Sequence, residues 1–197
     1  MNAVLTPVFI ADIKQIIDAG VKTAYMAVNS AAILTYWNIG KRIVEEEQGG
    51  NARAEYGKRL IDDLANNLVP AYGNGFSARR LRDYRLFYLT FKDFEIWHSR
   101  VPNLTWSHFR RILSVATADA REWYVNEASA QRWSVRTLDR NISTQYYGRR
   151  MACIREHLPL PSPVKAKSDP IEYLKNPVVA EFLGFNRNTK YCNCSAI

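Results

Sequence analysis

Apolar residues recur at the spacing of an α-helix through most of the first 150 residues, and this pattern restricts the fold more than any other feature of the chain. A stripe that repeats every three or four residues lies on one side of the chain only if the backbone is helical. Turn residues divide the pattern. Gly49 and Gly50 follow a long first helix, predicted over residues 21–48, and Pro70 stops a second helix, predicted over residues 54–68. The sequence therefore predicts an all-α fold, a bundle of several helices.

Each of the first three predicted helices has an apolar face. In the first helix this face is formed by Ala24, Ala27, Val28, Ala31, Leu34 and Ile39. In the second it is formed by Leu60, Ile61, Leu64 and Leu68. A glycine-containing turn at residues 72–75 opens the third helix, with Ser77 as its N-cap. The buried residues of the third helix are expected to be Leu81, Tyr84, Phe87, Tyr88 and Phe91.

Three shorter helices are predicted over residues 106–113, 118–129 and 135–144. The residues before them, Thr105, Thr117 and Ser134, are good N-caps. Short helices joined by turns of about four residues are typical of a helix-turn-helix. In the last of the three, the inward stripe is predicted to be Val135, Leu138 and Ile142, and the outward face is predicted to present Arg136, Arg140 and Asn141. Such an outward set suits the bases and phosphates of a nucleic acid.

The net charge of +8 lies entirely in the middle of the chain. Residues 75–155 hold 15 Lys/Arg and 7 Asp/Glu, whereas the net charges of the two flanks, −1 and +1, cancel. Fourteen of the 15 cations are arginines, and a guanidinium binds phosphates and guanine edges through two hydrogen bonds. This local excess indicates a polyanionic partner, with nucleic acid the first candidate. The candidate contact residues are Arg79, Arg80, Arg82, Arg85, Arg110, Arg111, Arg136, Arg140 and Asn141.

Motifs for catalysis, metal binding or cofactor binding are not evident. The histidines are scattered, and the two cysteines near the C-terminus, Cys192 and Cys194, have no second pair to complete a zinc site. We therefore expect no metal, no cofactor and no catalytic residue. The first twenty residues lack a signal-peptide pattern, and no apolar run approaches the roughly 18 to 20 residues of a spanning helix. These features predict a cytoplasmic protein without a membrane partner.

A proline-rich segment changes the character of the chain after residue 155. Pro159, Pro161 and Pro163 favour an extended backbone, so residues 156–169 are predicted to be a linker. The predicted organisation is a helical domain over residues 1–155, whose basic half is 75–155, the linker, and the start of a C-terminal region over 170–197. Short helices are predicted within residues 170–185.

The ordered motifs resemble the N-terminal domain of the YhcG-type bacterial family. The run begins with Ala27-Val28-Asn29, Tyr36-Trp37-Asn38-Ile39-Gly40, Arg53-Ala54-Glu55-Tyr56-Gly57 and Gly73-Asn74-Gly75-Phe76-Ser77. It continues with Leu104-Thr105-Trp106-Ser107-His108, Arg121-Glu122-Trp123-Tyr124 and Trp133-Ser134-Val135-Arg136-Thr137-Leu138. The resemblance covers about residues 10–155. It implies an all-helical, winged-helix-like domain that precedes a nuclease domain of the PD-(D/E)XK class in DNA-acting proteins.

The resemblance also predicts what this chain lacks. Residues 177–184 are similar to the segment that leads into the nuclease of the family, but the sequence that follows, residues 185–197, departs from the family pattern. No catalytic residue of the family can be carried over to this chain. The expectation is a truncated protein, produced by a frameshift, an early stop or a split gene, for which a separately encoded nuclease domain is a possible partner.

Two functions are compatible with these features. The first is a DNA-binding or targeting module of a nuclease, which itself does not cut. The second is an oligomerisation or protein-docking module that assembles a nuclease or defence complex. In this alternative the chain forms a homo-oligomer, in which the small residues of the first helix, Ala24, Ala27, Ala31 and Ala32, pack against a twin, with Tyr36 and Trp37 as anchors.

Overall fold

The computed structural model describes residues 6–49, 54–93, 101 and 103–163, and these form seven α-helices and no strand. The helices are α1 (Pro7–Gly49), α2 (Ala54–Tyr72), α3 (Ala78–Thr90), α4 (Trp106–Ile112), α5 (Ala118–Ala130), α6 (Val135–Ser143) and α7 (Tyr146–Arg155). The all-α prediction is confirmed. The β-wing of a winged helix is not seen in the part of the chain that the structure describes.

Two helix boundaries differ from the sequence prediction. The first helix begins at Pro7, well before the predicted start. The second continues through Pro70 to Tyr72, so the prediction that Pro70 stops it is wrong. Proline removes one hydrogen bond, yet it is tolerated here because the last turn is closed by the backbone N–H of Gly73, which donates to the carbonyl of Val69 at 2.9 Å.

The core forms where α1, α3 and α4 meet. The rings of Tyr36 in α1 and Tyr84 in α3 stack with centroids 4.4 Å apart, and Trp106 of α4 lies 5.3 and 5.1 Å from these two rings. Phe87 lies 5.3 Å from the same Trp106 ring. Aromatic pairs at these distances add to the free energy gained from burial. The prediction that Tyr84 and Phe87 face the core is confirmed, as it is for Leu81 and Phe91.

Gly40 lets α1 approach α3 closely. A Cβ atom at this position would meet the backbone carbonyl of Tyr84 well inside van der Waals contact, and would crowd the Cβ of Tyr88. Backbone atoms of a helix cannot give way as a flexible side chain can. The spacing of the two helices, and with it the Tyr36–Tyr84 stack, therefore requires glycine at position 40.

The buried face of α1 is not the predicted one. Its buried residues are Asn29, Ala32, Ile33, Tyr36, Trp37, Gly40, Ile43 and Val44, whereas Ala24, Ala27, Ala31 and Leu34 are exposed. Tyr36, Trp37 and Ala32 belong to the core of the chain and cannot anchor a second copy. Apolar residues occupy two sides of this helix, and only packing against α3 decides which side is buried.

Side-chain hydrogen bonds to backbone carbonyls fix α1 to the loops around α3 and α4. Asn29 Nδ2 donates to the carbonyl of Leu104 at 2.8 Å, and Trp37 Nε1 donates to the carbonyl of Phe91 at 2.7 Å. All four residues are buried. A buried polar group without a partner costs about 1–3 kcal/mol, so these bonds restrict how the helices can sit.

Tyr124 links α5 to α6 and α7. Its hydroxyl donates to the carbonyl of Asn141 at 3.0 Å and accepts the backbone N–H of Tyr147 at 3.1 Å. Burial raises the pKa of this hydroxyl, although the hydrogen bonds from the backbone oppose the shift. The phenol therefore stays protonated and able to donate.

The helices of the second half begin where the sequence predicts. Ser134 Oγ accepts the N–H of Thr137 at 3.1 Å, and Thr117 Oγ1 accepts the N–H of Ala120 at 3.4 Å. α7 was not predicted as a separate helix. Residues 158–163 form no helix, and Tyr146 packs against them through a 2.9 Å hydrogen bond to the carbonyl of Pro161. Half-buried Cys153 is a free thiol.

Other predictions fall on residues 164–197, which lie outside the described part. These are the remainder of the linker, the helices within 170–185, and the thiols of Cys192 and Cys194. The division into three regions stays a prediction. None of the helices in the described ranges has the length and apolar character needed to span a bilayer.

We expect Gly40→Ala to lower the free energy of unfolding by about 1–3 kcal/mol, because the added methyl group forces α1 and α3 apart. Urea titration followed by circular dichroism measures this change. Gly148→Ala in α7 is the matched control, since a Cβ there has nothing within 4 Å. The free energy of unfolding of this control should rise by about 0.5–1 kcal/mol, because alanine has a higher helix propensity than glycine. A Gly40→Ala protein as stable as the control would contradict the close-approach argument.

Candidate nucleic-acid interface

The structure brings four of the predicted arginines together. Arg79 and Arg80 lie in the first turn of α3, and Arg110 and Arg111 lie at the end of α4. We call these four residues the arginine cluster. The carboxylate of Asp83 faces the cluster, with its Oδ2 atom 3.6 Å from Nε of Arg110. The cluster therefore joins two helices through arginines that are about 30 residues apart in the sequence.

Arg110 shows how concentrated the positive charge is. Burial lowers the pKa of its guanidinium, and the charge of Arg80 lowers it further, followed by smaller effects of Arg79 and Arg111. Only Asp83 acts in the opposite direction. The four cations are thus close enough to repel one another, and Asp83 alone does not offset their effect on Arg110. In addition, a buried Nη atom of Arg80 has no hydrogen-bond partner within the described ranges.

Two other predicted contact residues are held by carboxylates instead. Nη2 of Arg82 lies 2.7 Å from Oδ1 of Asp62 in α2, and Nε of Arg85 lies 2.6 Å from Oε2 of Glu47 in α1. The side chain of Glu47 is only 16% exposed, so this second pair is the better shielded from solvent. The structure therefore distinguishes Arg82 and Arg85 from the arginine cluster, although both lie within six residues of Arg79 in the sequence.

The exposed face of α6 adjoins the arginine cluster. Nε of Arg111 lies 3.3 Å from Oδ1 of Asp139, which connects α4 to the middle of α6. Arg136 and Arg140 are exposed on α6, and neither forms an ion pair with any described residue. The sequence prediction for these two side chains agrees with their exposure. Together with the arginine cluster they extend the basic surface over three helices.

Asn141 does not lie on this surface. Its residue exposure is 0%, so the prediction that it points outward beside Arg140 is wrong. The reason is that α6 buries more than its apolar stripe: Thr137 and Asn141 lie in the interior together with Leu138. The hydroxyl of Tyr124 in α5 donates to the backbone carbonyl of Asn141 and so holds this turn of α6 against α5.

A buried histidine positions α4 against the segment before α6. His108 Nε2 bonds to the carbonyl of Trp133 at 2.9 Å, and its Nδ1 accepts the backbone N–H of Thr105 at 3.0 Å. A carbonyl only accepts, so the proton is on Nε2 and the ring is neutral. Burial lowers the pKa of His108 to about 4. The sequence did not predict that His108 links these two segments. The available signal was the spacing of three residues between the N-cap Thr105 and His108, which places both in one turn.

Two more arginines stand over aromatic rings next to this region. The guanidinium carbon of Arg149 is 5.9 Å from the ring centre of Tyr146, and that of Arg150 is 5.9 Å from the ring of Trp123. Sequence reasoning assigned them no role. Trp123 is half-buried among other rings. Among the described residues no group of three or more His, Cys, Asp or Glu could hold a metal ion.

These features define a helical domain with a basic surface built from α3, α4 and α6. Residues 12–149 match the model of the DUF1016 N-terminal domain, and the chain belongs to that family. The chain is also 36% identical over 203 aligned residues to the protein named "Putative nuclease YhcG" of Escherichia coli (strain K12). That alignment covers 85% of this chain and 53% of the relative, so the chain spans about half the length of the curated relative it matches. No solved structure matches it significantly. The resemblance to the YhcG-type N-terminal domain is confirmed.

We expect the free energy of unfolding to fall as the pH is lowered from about 6.5 to about 4. The unfolded state binds a proton to His108 with the ordinary pKa of 6.5, whereas the folded state resists protonation until about pH 4. The unfolded state therefore binds more protons in this interval. This difference in the pKa of His108 corresponds to about 3 kcal/mol of the free energy of unfolding. That contribution is fully present above pH 6.5 and is lost below pH 4.

Urea titrations at several pH values measure this loss. His108→Gln should be less stable at neutral pH and should show a shallower dependence on pH over the same interval, because the titrating group is gone. Parallel curves for the two proteins would contradict the assignment of His108 as a neutral, buried link.

Proposed function

We propose that this domain binds DNA through the arginine cluster and the exposed face of α6. The observation that carries the proposal is the grouping of four mutually repelling arginines, which among the described residues pair with only two carboxylates, Asp83 and Asp139, beside the exposed Arg136 and Arg140. Repulsion within such a group is relieved by an anion. A phosphate chain supplies a row of anions, and the printed name of the Escherichia coli relative describes it as a nuclease.

The geometry suits a duplex better than a single small anion. Arg136 and Arg140 are four residues apart, about one helical turn, and so point from the same face of α6. The arginine cluster lies on the adjoining helices. In this arrangement α6 lies in or along a groove, while the arginine cluster neutralises the phosphate backbone beside it. Arg82 and Arg85 contribute less because Asp62 and Glu47 already pair with them.

The proposal assigns binding, and not bond cleavage, to this domain. In YhcG-type proteins the cutting chemistry would then belong to another region, in the same chain or in a separate one, and this domain would bring it to DNA. Bacterial DNA lies in the cytoplasm, which is the compartment that the sequence predicts.

The salt dependence of binding tests the proposal. If about six phosphates are contacted, the logarithm of the binding constant should fall with the logarithm of salt concentration at a slope near −5. Fluorescence anisotropy of a labelled duplex measures the slope. The same duplex, incubated with the protein and Mg²⁺ or Mn²⁺, should remain full length on a denaturing gel. Absence of binding at low salt would reject the proposed function.

The double variant Arg136→Ala/Arg140→Ala locates the surface. It should weaken binding and reduce the magnitude of the salt slope by about two, because each lost phosphate contact removes about one unit. The melting temperature should not fall, since neither side chain forms an ion pair within the part of the chain that the structure describes. Lys41→Ala/Arg42→Ala removes the same charge from α1, where both side chains pair with glutamates one turn away, and should leave binding nearly unchanged. Equal losses in the two variants would indicate a general charge effect instead of this surface.

Asp83→Asn should strengthen DNA binding. It removes one of the two carboxylates that pair with the arginine cluster among the described residues. One unit charge a few ångströms from a phosphate is worth about 1 kcal/mol in water, or roughly fivefold in affinity. Asp119→Asn in the first turn of α5, outside the arginine cluster, is the control and should bind like the parent. If Asp83→Asn weakens binding or has no effect, phosphate does not sit at the arginine cluster.

A further inference from the structure

A second apolar stripe runs along α1 on the side opposite its buried face. Its residues repeat at alternating intervals of three and four, as a coiled-coil seam does, and all of them are exposed: Ile10, Ile13, Ile17, Gly20, Ala24, Ala27, Ala31 and Leu34. We call these eight residues the α1 seam. They fill four heptads, and a heptad pattern of that length is typical of a coiled coil. Phe9 and Ile16 border the seam and are 53% and 67% exposed.

The fold of the described residues leaves this part of α1 without cover. Every residue from Pro7 to Ala24 is exposed, a length of about 27 Å at 1.5 Å per residue. Helical segments of this length are marginal in water and owe their stability to packing of an apolar face. Charged residues of the segment avoid the seam: Asp12, Lys14, Asp18 and Lys22 all lie outside it.

We propose that a second copy of this chain covers the α1 seam, forming an antiparallel pair of α1 helices whose twofold axis passes at the level of Lys22. The proposal does not depend on DNA binding. The sequence predicts a dimer contact anchored by Tyr36 and Trp37, but both residues belong to the core. In the pair proposed here the two α1 helices meet through the α1 seam, and the core of each copy lies on the side of α1 that faces away from the partner.

The order of large and small residues selects the antiparallel direction. The three isoleucines occupy one half of the α1 seam, glycine and alanines occupy the centre and most of the other half, and Leu34 ends it. In the antiparallel pair, Ile13 faces the partner's Ala31 and Ile17 faces the partner's Ala27, so a bulky side chain meets a small one in these layers, while Ile10 meets the partner's Leu34 at each end and the small Gly20 and Ala24 meet at the centre. Such alternation lets facing layers interdigitate. A parallel pair would place three isoleucine layers in the first half of the seam and glycine and alanine layers from Gly20 to Ala31, which demands two different helix separations.

The area is sufficient for a stable dimer. The large apolar residues on this side of α1 are 39% to 67% exposed: Phe9, Ile10, Ile13, Ile16, Ile17, Val21 and Leu34. At roughly 180 Å² for a fully exposed residue of this size, they offer on the order of 600 Å² per copy before the small residues are added. Two copies would therefore bury on the order of 1,500 Å², within the range of about 1,200–2,000 Å² of specific interfaces.

Sedimentation equilibrium of the full chain over a range of concentrations tests the dimer. The parent should have the mass of two chains, and Ile13→Glu/Ile17→Glu should have the mass of one, because the pair would bury charges without partners. Ala11→Glu/Gln15→Glu places the same two charges one turn apart on the opposite face and should stay dimeric. Arg136→Ala/Arg140→Ala should also stay dimeric, which separates this result from the outcome for DNA binding.

Two results would overturn the proposal. A parent protein that is monomeric at every concentration would mean that the seam is covered by another part of the same chain or by a different partner. A dimer that persists in Ile13→Glu/Ile17→Glu, with circular dichroism unchanged, would place the interface elsewhere.

Disulfide formation decides the direction of the pair. In a background with Cys153, Cys192 and Cys194 changed to serine, Ile13→Cys and Ala31→Cys are introduced into separate preparations. The antiparallel pair predicts a cross-link only when the two preparations are mixed and refolded together. Cross-links within each single preparation would show a parallel pair and would reject the geometry proposed here.

Discussion

The close approach of α1 and α3 is the contact on which the rest of the structure depends. It exists because Gly40 has no side chain where the carbonyl of Tyr84 lies, and it allows the rings of Tyr36 and Tyr84 to stack at 4.4 Å. Trp106 packs on both rings, so the position of α4 follows from this stack. A slightly wider helix separation would lose the stack and would also move the end of α4, where Arg110 and Arg111 lie.

Carboxylates from distant helices shape the basic surface as much as the arginines do. Glu47 and Asp62 neutralise Arg85 and Arg82 on one part of α3, while the first turn of the same helix keeps its charge beside α4. The result is an excess of positive charge on one region of the fold. His108 then fixes α4 relative to the start of α6, which brings the exposed arginines of α6 next to that region. Neutral, buried links thus hold the proposed DNA surface in place.

The long helix α1 serves two surfaces at once. From Asn29 onward one side forms the core, and from Ile10 to Leu34 the other side carries the α1 seam. A pair of chains joined through the α1 seam would carry two copies of the basic surface, one on each folded body. Binding of both copies to one DNA molecule would raise the overall affinity through effective concentration, without any new contact.

The sequence alone determined the helical class, the starts of the short helices and the location of the charge. These features are local: a capping side chain such as Ser134 bonds to a backbone group three residues away, and charge can be counted along the chain. It also predicted the buried face of α3, because Leu81, Tyr84, Phe87 and Phe91 follow the helical spacing along one side of that helix, although Leu86 and Leu89 are exposed. Only the tertiary structure decided which face of α1 is buried, which arginines are neutralised, and that Asn141 lies inside. Each of these depends on contacts between residues far apart in sequence, such as the ion pair of Arg85 with Glu47. A local sequence pattern holds no information about which distant residues come into contact.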